Sequence, residues 1–121
     1  MSDVISNNDI GDVTGDVISR LYDVIQERRL NPVEGSYTCY LFEKGLDKIL
    51  KKLGEECSET IISAKNGDND ATVQEICDLL YHLLVLMSAS KIEWSAVEAE
   101  LETRRTKIGN LKKMRNTDHD T

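Results

Sequence analysis

From Leu79 to Met87 the chain is apolar at almost every position, interrupted only by Tyr81 and His82. At helical spacing such a run gives a helix apolar nearly all the way round, and a small bundle has too little material to cover it. The run therefore predicts a subunit interface and a homo-oligomer. The rest of the chain points to the same class of structure. Strand-type alternation of useful length is missing, no internal repeat is visible, aromatic residues make up 5% and there is a single proline. Aliphatic residues at spacings of three and four predict an all-α fold. At 121 residues the chain has the length of one domain.

Four helices are expected. Val17, Ile18, Leu21, Val24 and Ile25 place a first helix over 12–29, with Arg28 and Arg29 suiting its negative dipole end. Asn31-Pro32-Val33-Glu34-Gly35 reads as a loop. A second helix is expected over 38–66, where Leu46, Ile49, Leu50, Leu53, Cys57, Thr60, Ile61 and Ala64 share a stripe. Gly45 and Gly54 fall inside it, at a cost of about 1 kcal/mol each against alanine, which suggests a packing or ligand-approach reason. Gly67 closes this helix, and a third follows over 70–90. Ser95-x-x-Glu98 reads as the capping box of a fourth, continued by Val97 and Leu101. Residues 1–9 read as a loose N-terminus, 10–108 as the domain and 109–121 as a basic, polar tail.

Charge narrows the partners. The net charge is −7, yet residues 1–103 hold 9 basic and 20 acidic side chains, and six basic and no acidic residues lie between Arg104 and Arg115. An acidic body repels a phosphate backbone, so nucleic-acid binding is not expected. An acidic protein that acts on a phosphate compound needs a divalent cation between the two anions. No apolar run reaches the ~18 residues of a membrane span, and Met1-Ser2-Asp3 opens no secretory signal. Cys39, Cys57 and Cys77 are odd in number and lack metal-type spacing, which predicts reduced thiols and a cytoplasmic location.

Two acidic pairs carry the chemistry. Glu56 and Glu59 are three apart on the second predicted helix, and Glu75 and Asp78 three apart on the third. Residues at i and i+3 project from one face, so two antiparallel helices can converge four carboxylates. Four such anions raise one another's pKa unless a hard cation such as Mg²⁺ or Mn²⁺ sits between them. On the helical wheel Glu56 and Glu59 flank the apolar stripe, with Lys52 one turn before Glu56. Spacing alone leaves other readings open. Acidic pairs arise by chance in a chain with 22 acids, and Thr72-x-x-Glu75 also reads as a capping box.

The stretch Lys44-Gly45, Lys48, Lys52-x-Gly54-Glu55-Glu56-x-x-Glu59, followed by Glu75-x-x-Asp78-Leu79-Leu80-Tyr81-His82-Leu83-Leu84-Val85-Leu86, strongly resembles the phosphoribosyl-ATP pyrophosphatase family. Ser36-Tyr37-Thr38 and Leu101-x-x-Arg104 are similar to that family too, and the likeness covers about residues 15–106. The family lies within the all-α, MazG-like nucleotide pyrophosphatase superfamily. The resemblance implies a MazG-like bundle completed by dimerisation. It implies hydrolysis of phosphoribosyl-ATP to phosphoribosyl-AMP and pyrophosphate, the second step of histidine biosynthesis. Glu56, Glu59, Glu75 and Asp78 would hold Mg²⁺, with Mn²⁺ possible. Glu56 and Glu59 would be catalytic, and Glu55 a further base or supporting group. Lys52, Lys48, Lys44 and Arg104 would bind the substrate phosphates, and Tyr37 and Thr38 would touch substrate.

Other roles remain open at this level. Thr38 fits a helix start equally well. His82, one turn after Asp78, fits a partner of the site, a core histidine or a dimer contact. Cys57 and Cys77 read as small buried filler, and Trp94 and Leu101 as packing residues. The rival functions are a house-cleaning nucleoside triphosphate pyrophosphohydrolase of the same superfamily and a non-catalytic helical interaction module.

Overall fold

The computed structural model describes residues 7–108, with side chains from residue 17 onward. Among them are five helices and no strand: α1 (Asn7–Leu30), α2 (Tyr37–Lys44), α3 (Leu46–Lys65), α4 (Asn69–Ala89) and α5 (Trp94–Ile108). α1 starts at Asn7, so it takes in residues 7–9 of the segment read as the N-terminus and begins before the expected residue 12. Residues 1–6 and the expected tail at 109–121 lie outside the described residues.

The expectation of four helices fails at Gly45. Its φ of 94° and ψ of −175° lie where only glycine sits without strain. The Gly45 amide donates to the Leu41 carbonyl at 3.0 Å and ends α2. Its carbonyl accepts from the Ile49 amide at 3.2 Å and starts α3. The single helix expected over 38–66 is therefore two. Gly54 stays inside α3, and a Cβ there would meet nothing within 4 Å, so no close approach in this chain explains it.

Capping sets the remaining turns. Ser36 caps α2 by accepting from the Cys39 amide. Gly67, at φ 72°, closes α3 in a Schellman motif: its amide bonds the Ala64 carbonyl and the Asp68 amide bonds that of Ser63. Asp68 then caps α4 by accepting from the Ala71 amide at 3.0 Å. The same motif ends α4, with Lys91 taking the left-handed position at φ 61°. The expected Ser95 capping box is not formed, because Ser95 already lies inside the first turn of α5.

The core lies where α1, α2, α3 and α4 meet. It holds Tyr22, Ile25, Leu41, Ile49, Leu84 and Val85, with Trp94 packed against it as expected. Tyr22 donates to the Ile92 carbonyl at 2.6 Å and so ties α1 to the end of α4. Arg29 donates to Ser88 Oγ at 2.9 Å across the same junction. The inward face of α1 runs through Ile18, Tyr22 and Ile25, while Val17, Leu21 and Val24 stay exposed.

α4 is the central helix and packs against α1, α2 and α3. By length and mean hydropathy it passes for a membrane-spanning helix, although acidic residues break its apolar run. It nevertheless carries Glu75 and Asp78 into a charged cluster of the bundle. Much apolar surface is left open. Val73, Ile76, Leu80 and Leu83 form an exposed row on α4, and Leu46, Leu50, Ile61 and Ile62 are exposed on α3. Cys57 and Cys77 are exposed as well, which corrects their reading as buried filler. Leu101 is exposed on α5, a helix with no extended packing against the others.

Gly45→Ala should lower the unfolding free energy by about 1–3 kcal/mol in urea melts, because the new Cβ is strained at this φ. Gly54→Ala, inside a helix with free space around it, should be neutral or stabilising by up to about 1 kcal/mol.

Candidate metal and active site

α3 and α4 form an antiparallel hairpin around Asn66-Gly67-Asp68, and this pairing is the most extensive helix contact in the fold. Glu56 stands ten residues before Asn66 and Asp78 ten after Asp68, so the two fall at the same level of the hairpin. Carboxylate oxygens of Glu56, Glu75 and Asp78 lie within 4.8 Å of one another. Glu59 is exposed at the edge of this group and shares a hydrogen bond with Glu75. Three of the four predicted carboxylates therefore converge, and Glu59 borders them.

The capping alternative for Glu75 does not hold. Asp68 is the cap of α4, and the Thr72 hydroxyl donates to the Asp68 carbonyl at 2.7 Å. Glu75 is left free for the cluster. Glu56 is 7% exposed, unusual for a carboxylate. The inward positions of α3 are Ile49, Glu56 and Ser63, so the acid takes a place a core residue would normally occupy.

The electrostatics follow from this crowding. Burial pushes the Glu56 carboxyl above its ordinary value, helped by the charges of Glu59 and Asp78. The hydrogen bond shared with Glu59 pushes Glu75 up to about 7, with desolvation and the neighbouring carboxylates adding to it. One oxygen of Glu56 and one of Glu75 are buried without any hydrogen-bond partner. Buried, unpartnered carboxylate oxygens are costly, and a hard divalent cation satisfies them and relieves the repulsion together. The donor set is all oxygen, so the residues present fit Mg²⁺ or Mn²⁺.

The cationic residues are placed less uniformly. Lys52 Nζ bonds Glu55 Oε1 at 3.0 Å, which raises the lysine and lowers the half-exposed glutamate. Lys44 and Lys48 gather over the Tyr40 ring, at 5.8 and 5.9 Å from its centroid. Tyr40 stacks on Tyr37 at 6.1 Å, and Tyr37 stacks on Tyr81 at 6.2 Å. These lysines and tyrosines form one rim beside the carboxylates. Arg104 is not brought to it. It is exposed on α5 and bonds Glu100 at 3.0 Å.

The cleft, the role of Tyr40 and the Tyr81–Thr38 pair escaped the sequence reading. A cleft of about 860 Å³ adjoins the rim, bounded by Arg28, Arg29, Val33, Tyr37, Tyr40 and Phe42. Tyr40 could have been found, since it follows Tyr37 by three and shares its helix face. Tyr81 pairs its hydroxyl with that of Thr38, which fixes α2 on α4. His82, 4% exposed, bridges the Asp78 carbonyl at 2.7 Å and the Tyr37 hydroxyl at 3.1 Å. Buried with both ring nitrogens hydrogen-bonded, His82 fits the core-histidine reading, and its bond to Tyr37 sets it beside the site as well.

A carboxyl whose pKa is higher folded than unfolded stabilises the fold at low pH, and this contribution fades as pH rises through the folded value. With metal chelated away, the thermal midpoint should fall between pH 5 and 8 as Glu75 gives up its proton. Glu75→Gln should flatten that decline. At pH 8, Mg²⁺ should raise the midpoint of the wild-type chain and not that of Glu75→Gln; scanning calorimetry at each pH checks both.

Residues 18–105 match the profile of the phosphoribosyl-ATP pyrophosphohydrolase family. A phosphoribosyl-ATP pyrophosphatase of Clostridium botulinum (strain Kyoto / Type A2) is 57% identical over 101 residues, covering 84% of this chain and 92% of that protein. One from Clostridium acetobutylicum is 51% identical over 100 residues, 83% of this chain and 91% of its own length. The histidine biosynthesis bifunctional protein HisIE of Caldanaerobacter subterraneus is 51% identical over 92 residues, 76% of this chain and 45% of its own length. With a family profile spanning most of its length and relatives this similar, the chain belongs to the phosphoribosyl-ATP pyrophosphohydrolase family.

Proposed function

We propose that this chain hydrolyses phosphoribosyl-ATP to phosphoribosyl-AMP and pyrophosphate, the second step of histidine biosynthesis. The observation that carries the reading, beside family membership, is the convergence of Glu56, Glu75 and Asp78 with two buried carboxylate oxygens unpartnered. Glu56, Glu59, Glu75 and Asp78 would hold the divalent ion. Bound there, Mg²⁺ would neutralise charge on the leaving pyrophosphate and lower the pKa of the attacking water.

The protein's own groups do the rest. Water attacks the α-phosphorus, the bond to the bridging oxygen breaks, and pyrophosphate leaves. Glu59 and Asp78, the exposed members of the cluster, are the carboxylates to which that water has access. Lys52 offers its ammonium to the phosphates, and Glu55 orients it through their 3.0 Å bond. Lys44 and Lys48, held over Tyr40, add positive charge at the same rim.

We further infer a MazG-like homodimer. The exposed rows on α3 and α4 and the unpacked α5 are surfaces a second copy would cover. Arg104 would serve a phosphate only through such an assembly, since α5 does not pack on the rim of its own chain. The three free cysteines suit a cytoplasmic location.

Phosphoribosyl-ATP, ATP and dCTP, each with and without Mg²⁺, test the reaction. Turnover of the first alone, and only with metal, is expected. Turnover of ATP or dCTP instead would favour a house-cleaning enzyme, and no turnover a binding module. Glu56→Gln should abolish turnover while helical circular dichroism stays near wild type. Light scattering should give the mass of a dimer, and Leu80→Glu should shift it towards the monomer.

A further inference from the structure

Two arginines at the end of α1 are placed without being neutralised. Arg29 donates from Nε to the hydroxyl of Ser88, which is wholly buried. It also donates from Nε and Nη2 to the Gln26 side-chain oxygen, at 3.3 and 3.2 Å. The Ser88 hydroxyl donates to that same oxygen. Both anchors are neutral, so the guanidinium keeps its full charge, and Nη1 keeps its donors. Arg28 makes no side-chain ion pair among the described residues, whereas Arg104 and Arg105 on α5 are each paired with a glutamate. A helix dipole asks only for positive charge near the last turn. It does not require a guanidinium keyed by a buried serine and a glutamine.

Both arginines line the cleft of about 860 Å³, a volume that holds a nucleoside-sized body. Hydrogen bonds with Ser36 and Val33 hold the Cys39 thiol on that wall below its ordinary value, and the nearby Arg28 charge adds to this. Glu34 and Glu43 line the cleft too, but neither forms an ion pair with an arginine there. None of the clustered carboxylates or rim lysines lines it, and Tyr37 and Tyr40 are the wall it shares with the rim. Two unneutralised guanidiniums in an acidic chain point to an anion in this cleft, and their paired donors match phosphate oxygens. The nucleotide of the reaction proposed above carries phosphate at both ends. Its triphosphate belongs with the carboxylates and the lysines. Its other end is the 5′-phosphate monoester of the phosphoribosyl group. We propose that Arg28 and Arg29 form the subsite for this distal phosphate and set the preference for phosphoribosyl-ATP over ATP. This rests on the reaction proposed above.

The test compares phosphoribosyl-ATP with its counterpart lacking the 5′-phosphate on the added ribose. Wild type should show kcat/KM lower by about 10- to 100-fold on that counterpart, the scale for losing charge-assisted hydrogen bonds. Arg28→Met and Arg29→Met should each shrink this ratio by about fivefold or more, because they slow phosphoribosyl-ATP far more than the counterpart. Equal treatment of the two substrates by wild type would overturn the proposal. So would variants that slow both in parallel, the result expected if the arginines serve the triphosphate or only the fold. Arg28→Met keeps the comparison decisive if Arg29→Met, which removes the partner of Ser88 and Gln26, fails to fold.

Titration with ribose 5-phosphate in the absence of metal, followed through the arginine Nε–H signals in ¹⁵N spectra, supplies a readout apart from turnover. Arg28→Met and Arg29→Met assign the two signals. Ribose 5-phosphate should shift both signals saturably, and ribose should leave them in place. No shift, shifts confined to other arginines, or equal shifts with ribose would overturn the proposal. Should wild type turn over neither substrate, the proposed reaction falls while this titration still judges the arginine pair.

Discussion

The fold is organised around a repulsion that it does not relieve by itself. A hairpin of two helices presses Glu56, Glu75 and Asp78 together at one level, and Glu59 closes the edge. Mutual charge and lost hydration raise the proton affinity of Glu56 and Glu75. A natural core position would hold a leucine where Glu56 stands. The cost of the acid is tolerable because the same seam is anchored on both sides. Ile49 lies before it on α3, and Leu84 and Val85 lie beyond it on α4.

The carboxylate set was legible because its signal is local. Three-residue spacing on a helix and a short turn between two helices are enough to place three of the acids together, with Glu59 beside them. The two readings of Glu75 could not be separated from sequence, since Thr72-x-x-Glu75 obeys the capping pattern. Asp68 decided the matter by taking the cap one turn earlier. Gly45 was illegible for a different reason. Helix-compatible residues lie on both sides of it and glycine is tolerated inside helices, so the break shows in its backbone angles.

The burial pattern of α3 was the hardest to read. Much of its apolar stripe, Leu46, Leu50 and Ile61, faces outward, while Glu56 and Ser63 join Ile49 on the inward face, against what hydrophobicity alone implies. The inversion is consistent if two different surfaces are served, one for chemistry and one for a second copy. Tyr37 and His82 are 45 positions apart and carry no local signature. Their meeting depends on the break at Gly45, which lets α2 leave the line of α3 and rest on α4.

Six buried apolar residues among those described make a modest core, and α5 meets it only through Trp94 at its start. If a second copy supplies the missing cover, much of the folding free energy is intermolecular. Dilution would then act on this protein as a denaturant does, and a melting temperature would have meaning only alongside the concentration at which it was taken.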